Sequence, residues 1–139
     1  MSGVKLTDIV EKMNLKNLTP EVDITEREVL VPDVNRPALQ LAGFFDHFDL
    51  NRVQIIGNVE CAYLETLEEE KRVEIYQKLL EHKVPCIIFS NELQPDESFI
   101  EIAQKNDIPV FGTCKKTSSF MGELIRWLNV KLAPCISIH

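Results

Sequence analysis

Two polar clusters in this sequence have the residue types needed to hold an anion. Ser90-Asn91 follows the apolar run Cys86-Ile87-Ile88-Phe89, and Gly112-Thr113, with Lys115, Thr117 and Ser118, follows Ile108 to Phe111. Hydroxyls, an amide, one lysine and the free backbone N–H groups of a helix start can together grip a phosphate or a carboxylate. The same residue types are ordinary turn and capping residues, and that plainer reading is the preferred one. A third group, Asp33 and Arg36, spans a turn. The preferred reading is a structural clasp between the two; the alternative is that Arg36 meets an anionic ligand or a neighbouring subunit. An exposed pair adds under ~1 kcal/mol, so its structural worth depends on burial.

No catalytic constellation accompanies these residues. The five glycines, at 3, 43, 57, 112 and 122, open neither G-x-x-x-x-G-K-[ST] nor G-x-G-x-x-G, so no nucleotide-phosphate cradle is present in the sequence. There is no G-x-S-x-G elbow, and His47, His82 and His139 have no nucleophile close by in sequence. Cys61, Cys86, Cys114 and Cys135 include no C-x-x-C pair and form no zinc-like spacing with the histidines. Cys86 and Cys114 come near each other if their strands are neighbours, but small buried apolar residues are favoured over a disulfide or a metal site. Glu68-Glu69-Glu70 reads as an acidic first helical turn favoured by the dipole, ahead of a metal site. His82, near the end of that helix, reads as a dipole-complementing or solvent-facing residue. No catalytic residue and no metal ligand is expected.

The elements that position the polar clusters centre on Val84 to Ser119. Cys86–Phe89 and Ile108–Phe111 are unbroken apolar runs, as in strands buried on both faces. Between them Pro95 suits a first helical position, Phe99, Ile102 and Ala103 recur at helical spacing, and Asn106 ends the pattern. That is a right-handed parallel crossover. Upstream, Leu6, Ile9, Val10 and Met13 form one helical stripe, with Asp8 and Glu11 able to satisfy its first N–H groups. A loop over 17–27 precedes a strand at Val29-Leu30-Val31, stopped by Pro32. Pro37 opens a short helix, Ala38 to Ala42; Gly43 gives its left-handed stop and delivers Phe44 and Phe45 onto the core. Val53–Ile56 is a strand with Gly57-Asn58 as its turn. Thr66 and Glu69 form a capping box for a helix running through Val73, Tyr76, Leu79 and Leu80. Thr117 or Ser118 caps a last helix whose Phe120, Leu124, Trp127 and Leu128 share a face; Gly122 within it implies close packing. Pro134 stops that helix, and 135–139 read as the opening of an alternating strand, so the chain is expected to be cut at a linker. In open α/β sheets ligands bind beyond the carboxyl ends of the strands. That edge here carries Gly57-Asn58, Ser90-Asn91 and Gly112-Thr113.

Bulk properties narrow the partners. With 139 residues, 45% apolar and 27% charged, the chain fits one ordinary globular domain. A net charge of −7 with scattered basic residues argues against sequence-independent nucleic-acid binding. No stretch reaches the ~18 apolar residues of a membrane span, and 1–12 does not read as a signal peptide, so a cytoplasmic location is expected.

Four stretches together resemble one family: VPDVNRPALQLAGFFDHF from Val31, RVQIIGNVE from Arg52, PCIIFSNELQPDESFIEIAQKNDIPVFGT from Pro85 and KLAPCISIH from Lys131. They are similar to the amino-terminal domain of bacterial HPr kinase/phosphorylase, most specifically at Asp33, Arg36-Pro37 and Gly43-Phe44 and at the closing Leu132-Ala133-Pro134 and His139. The resemblance implies a three-layer α/β/α fold with a mostly parallel sheet, similar to the amino-terminal domain of Mur ligases. It implies a non-catalytic regulatory or assembly domain over 1–134, with 135–139 leading into a carboxy-terminal P-loop kinase domain. It also implies a hexameric parent that phosphorylates a serine of the phosphocarrier HPr with ATP or pyrophosphate and Mg²⁺, reverses this by phosphorolysis, and so controls carbon catabolite regulation and sugar uptake. The phosphate loop, metal ligands and catalytic aspartate of that parent are not carried onto 1–139, and this chain by itself is expected to be inactive, with weak dimerisation through Phe44 and Phe45. Arg52 to Leu132 also resembles the DRTGG-type ligand-sensing module, although Ile88-Phe89-Ser90-Asn91-Glu92 stands where its signature is expected; that reading implies a small acidic ligand at Ser90, Thr113 and Lys115. A purely structural spacer is the third possibility.

Overall fold

The computed structural model describes residues 3–133. In chain order the elements are β1 (Val4–Lys5), α1 (Leu6–Met13), β2 (Lys16–Asn17), β3 (Glu28–Val29), β4 (Val34–Asn35), α2 (Ala38–Leu41), β5 (Val53–Ile56), α3 (Asn58–Glu65), α4 (Glu69–Leu80), β6 (Ile87–Phe89), α5 (Glu97–Lys105), β7 (Val110–Gly112) and α6 (Thr117–Leu132). The expected strand Val53–Ile56 and the two apolar runs become β5, β6 and β7, which pair in parallel, with β4 parallel on the outside of β5 and β2 antiparallel on the outside of β7. Strands β1 and β3 form a separate antiparallel pair.

Side chains on a strand alternate between faces, and that alternation makes two cores. Ile55, Ile88 and Phe111 stand in register and pack with Leu6, Ile9, Met13, Phe120, Leu124 and Leu128 from α1 and α6. On the opposite face Ile56, Ile87, Phe89 and Val110 pack with Leu41, Leu64, Leu79, Leu80, Phe99 and Ala103 from α2 to α5. The result is the expected three-layer α/β/α arrangement with a mostly parallel sheet. The β6–α5–β7 crossover also stands as expected, with Asn106 closing α5; its start is Glu97 after Asp96, two residues beyond Pro95.

Several local expectations are corrected. The strand expected at 29–31 is Glu28–Val29, and Leu30 is exposed. The loop over 17–27 begins inside β2, and β4 went unread because two-residue strands leave no periodicity. Gly57-Asn58 is a helix start, with α3 following at once. Thr66 is therefore the C-cap that follows α3, its hydroxyl donating to the Tyr63 carbonyl at 2.6 Å, and it does not form a capping box with Glu69. Gly43 does take the left-handed conformation, φ 100°. It delivers only Phe45 towards the core, where His82 stacks on the ring at 4.7 Å; Phe44 stays 49% exposed. Gly122 is exposed, with nothing within 4 Å of where a Cβ would stand, so close packing does not explain it. Cys86 is buried as expected, but Cys114 is exposed, and both are free thiols. The expectations for 134–139 lie outside the described residues. No helix among the described residues is long and apolar enough to cross a membrane.

Candidate functional site

The site begins at Gly57, where β5 turns into α3. Glu60, three residues on, sends its Oε1 back to accept the Gly57 N–H at 2.9 Å, satisfying one otherwise orphaned donor of the helix start. The same carboxylate receives Arg36, Nε at 3.0 Å on Oε2 and Nη2 at 2.6 Å on Oε1. Glu60 is only 2% exposed, whereas Arg36, between β4 and α2, is 32% exposed. The planar fork of arginine fits this two-point contact, which a lysine would not reproduce. Arg36 thus pairs with Glu60 and not with Asp33, which is exposed and makes no ion pair among the described residues. Glu60 carried no weight in the sequence reading; its one legible signal was a glutamate three residues after a glycine that closes a strand.

On the other side of Gly57 lies Thr117. It is the first residue of α6 but caps nothing, correcting the capping role expected of it and of Ser118. Its Oγ1 lies 2.6 Å from Oγ of the fully buried Ser90 and accepts from Asn91 Nδ2 at 3.2 Å. Ser90 also reaches the Ile56 carbonyl at 3.3 Å. Asn91 and Glu92 both have left-handed backbones, φ 58° and 57°, and their N–H groups donate to Lys115 and Thr113 carbonyls. The two loops after β6 and β7 are therefore locked together. A Cβ on Gly57 would stand 2.7 Å from Thr117 Oγ1 and 2.8 Å from Arg36 Nη2, so glycine is needed for this approach.

Around that junction opens a cavity of about 440 Å³ lined by Arg36, Asn58, Asn91, Lys116, Thr117 and Ser118, with Val59 and Met121 as its apolar part. Of the residues expected at the carboxyl edge, Asn58, Asn91, Thr117 and Ser118 meet here, with Ser90 behind them, and Arg36, read as part of a separate turn, joins them. Lys115 does not: its ammonium is ion-paired with Glu123 on α6, and the hydrogen bond from Lys115 holds the Glu123 carboxyl below its usual range. Thr113 belongs to a separate cavity of about 350 Å³ with Lys16, Leu18, Leu93 and Gln94. Asp33 is not in this group.

A smaller cavity of about 190 Å³ lies between α3, α4 and α5, with Cys61, Arg72, Tyr76, Asp96 and Phe99 in its lining. The Tyr76 hydroxyl donates to Asp96 Oδ2 at 2.6 Å, and Arg72 Nε approaches the same oxygen at 3.3 Å. Burial, then the hydrogen bond to Asp96, pushes the Tyr76 phenol up; burial pushes the Cys61 thiol up to about 11, so it is a poor nucleophile at neutral pH. Among the described residues no group of three or more His, Cys, Asp and Glu gathers as metal ligands do.

A mostly parallel sheet between two helical layers, with polar loops gathered at its carboxyl edge, defines the class: a three-layer α/β domain. The chain belongs to the family described as HPr Serine kinase N terminus, which matches residues 4–128. It is 55% identical over all 139 residues to the HPr kinase/phosphorylase of Lachnoclostridium phytofermentans and 40% identical over 131 residues to that of Caldicellulosiruptor bescii. It spans 45% and 42% of those proteins, under half their length. Its fold is also similar to the CBS and DRTGG domains of the regulatory region of Clostridium perfringens pyrophosphatase, solved in complex with the activator diadenosine tetraphosphate. That match has a TM-score of 0.62 and 22% identity, covering 90% of this chain and 47% of that one.

Proposed function

We propose that this chain is the amino-terminal regulatory and assembly domain of a bifunctional HPr kinase/phosphorylase. The parent enzyme phosphorylates a serine of the phosphocarrier HPr with ATP or pyrophosphate and removes the phosphate by phosphorolysis, controlling sugar uptake and carbon catabolite regulation in the cytoplasm. The observation that carries this reading is the 55% identity across every residue of the chain to a protein of that name. The chain accounts for only 45% of that relative, which leaves room for a separate catalytic unit.

The residues present do not fit a Mg²⁺–nucleotide site. No carboxylate cluster gathers among the described residues, and the glycines form no phosphate loop. No phosphoryl-transfer step is therefore assigned to this chain; Mg²⁺, ATP or pyrophosphate and HPr belong to the rest of the parent. In the parent hexamer this domain contributes contacts and regulation.

The test is direct. This chain, mixed with HPr, ATP or pyrophosphate and Mg²⁺, yields no seryl phosphate by mass spectrometry, whereas the full-length homologue does. Seryl phosphate formed by the chain alone overturns the non-catalytic role. A full-length homologue lacking this domain keeps the chemistry but changes its assembly in sedimentation; an unchanged assembly and unchanged regulation would leave only a spacer.

The alternative is a DRTGG-like sensor. The fold neighbour comes from a regulatory region bound to an activator, which favours ligand sensing. The three residues first expected to hold that ligand do not converge: Ser90 is buried, Lys115 turns to Glu123 and Thr113 faces another cavity. A sensor of this fold would use the cavity beside Arg36.

A further inference from the structure

Arg36 and Lys116 meet at one cavity of a chain whose net charge is −7; Glu60 balances Arg36 from behind, Lys116 stays uncompensated among the described residues, and no carboxylate is in the lining itself. Glu60 lies behind Arg36, buried, and engages Nε and Nη2. Nη1 has no protein partner among the described residues and is not fully buried, and Arg36 is part of the cavity lining. The buried carboxylate thus fixes the direction in which the remaining guanidinium N–H groups point, and a pre-set donor loses little freedom when an anion arrives. Thr117 accepts one Asn91 amide N–H and leaves that side chain's second N–H without a protein partner among the described residues. Lys116 is exposed and makes no ion pair among the described residues.

The position fits as well. Helices α3 and α6 lie on opposite faces of the sheet, and the cavity opens between their starts, beyond the carboxyl ends of β5 and β6. Open parallel sheets take ligands at such places. Its volume of about 440 Å³ falls within the roughly 300–1,000 Å³ of small-molecule sites, so it has room for more than a bare ion. Val59 and Met121 give apolar surface for the rest of the molecule.

We propose that this cavity binds a small metabolite through an oxyanion group, a phosphate or a carboxylate, with Lys116 supplying charge, Arg36 a directed guanidinium donor, and Asn91 and Ser118 neutral donors. The inference goes beyond the domain assignment and does not rest on the parent enzyme's identity.

The experiment is an amide and arginine-Nε NMR titration of the 139-residue chain with inorganic phosphate and, separately, malonate, at ionic strength held constant with sodium chloride. Saturable shifts confined to positions 36, 58, 91 and 116–118 are expected, with a Kd on the order of 1 mM. Lys116→Glu weakens binding roughly tenfold or more, as does Asn58→Asp, which sets a carboxylate in the lining at a helix start that tolerates it. Lys115→Ala, removing the lysine already held by Glu123, leaves binding unchanged. Saturation by phosphate alone names a phosphoryl ligand, and tighter binding of malonate names a carboxylate; either upholds the site. Absence of saturation with both anions overturns it, and so do shifts that survive Lys116→Glu or vanish in Lys115→Ala.

Discussion

Replacing Arg36 with methionine tests the reasoning about the site most sharply. In the native chain the Glu60 carboxylate has three partners, two guanidinium contacts at 3.0 and 2.6 Å and the Gly57 N–H at 2.9 Å, and it is 2% exposed. Arg36→Met removes two of the three and leaves a buried charge on one backbone donor. Breaking a buried pair in this way costs about 3–5 kcal/mol. Arg36 is one-third exposed, so water reaches part of the vacated space, and the expected loss falls to roughly 2–3 kcal/mol. For a chain of this size that lowers Tm by about 6–12 °C. Adding Glu60→Gln removes the stranded charge while keeping an acceptor for Gly57, so the double variant is more stable than Arg36→Met alone by ~1 kcal/mol or more. Urea denaturation of the four proteins gives the cycle. A loss under ~0.5 kcal/mol for Arg36→Met, or a double variant whose losses simply add, refutes the claim that Glu60 depends on Arg36.

Other expectations follow from neighbouring features. Gly57→Ala costs about 1–3 kcal/mol in denaturation, because its Cβ drives Thr117 Oγ1 and Arg36 Nη2 apart; the backbone itself, at φ −119°, accepts alanine. Tyr76 has a folded-state phenol raised above its ordinary value of 10.0, so its contribution to stability is full below pH 10 and is lost as pH rises through the folded value. Difference absorbance of phenolate, wild type against Tyr76→Phe, will find no Tyr76 ionisation at pH 10 while the fold persists. In a Cys135→Ser background a maleimide labels exposed Cys114 first, and Cys61 more slowly, at a rate rising with pH towards about 11. Cys86, fully buried and pushed up to about 12, reacts only on unfolding; three thiols reacting at one rate would contradict this order.

Much of the architecture was legible because long-range order here is written in apolar runs. Cys86–Phe89 and Ile108–Phe111 have the short unbroken apolar pattern of strands covered on both sides, and Phe99, Ile102 and Ala103 between them recur at helical spacing. What escaped notice was short or set by distant partners. Strands β2 and β4 hold two residues each and leave no period to detect. Helix α3 was hidden because Gly57-Asn58 reads equally well as a turn, and with it went Glu60. The polar edge itself was visible in Ser90, Asn91 and Thr117. Which cation serves it was not: adjacent lysines look alike in sequence, and only the reach of Glu123 along α6 removes Lys115 and leaves Lys116. Asp33 lost Arg36 because a carboxylate far along the chain offered a drier, two-point partner.

The sheet ends in stubs on both sides. At one border β2 pairs for two residues, after which the Thr19 hydroxyl takes over, receiving the Val110 N–H at 2.9 Å as a strand carbonyl would. At the other, β4 is two residues long and is soon followed by Pro37, which has no N–H to offer. Neither border gives an incoming chain a rail of free backbone groups along which to zip. The borders of this five-stranded sheet are thereby poor templates for fibre-like stacking of copies.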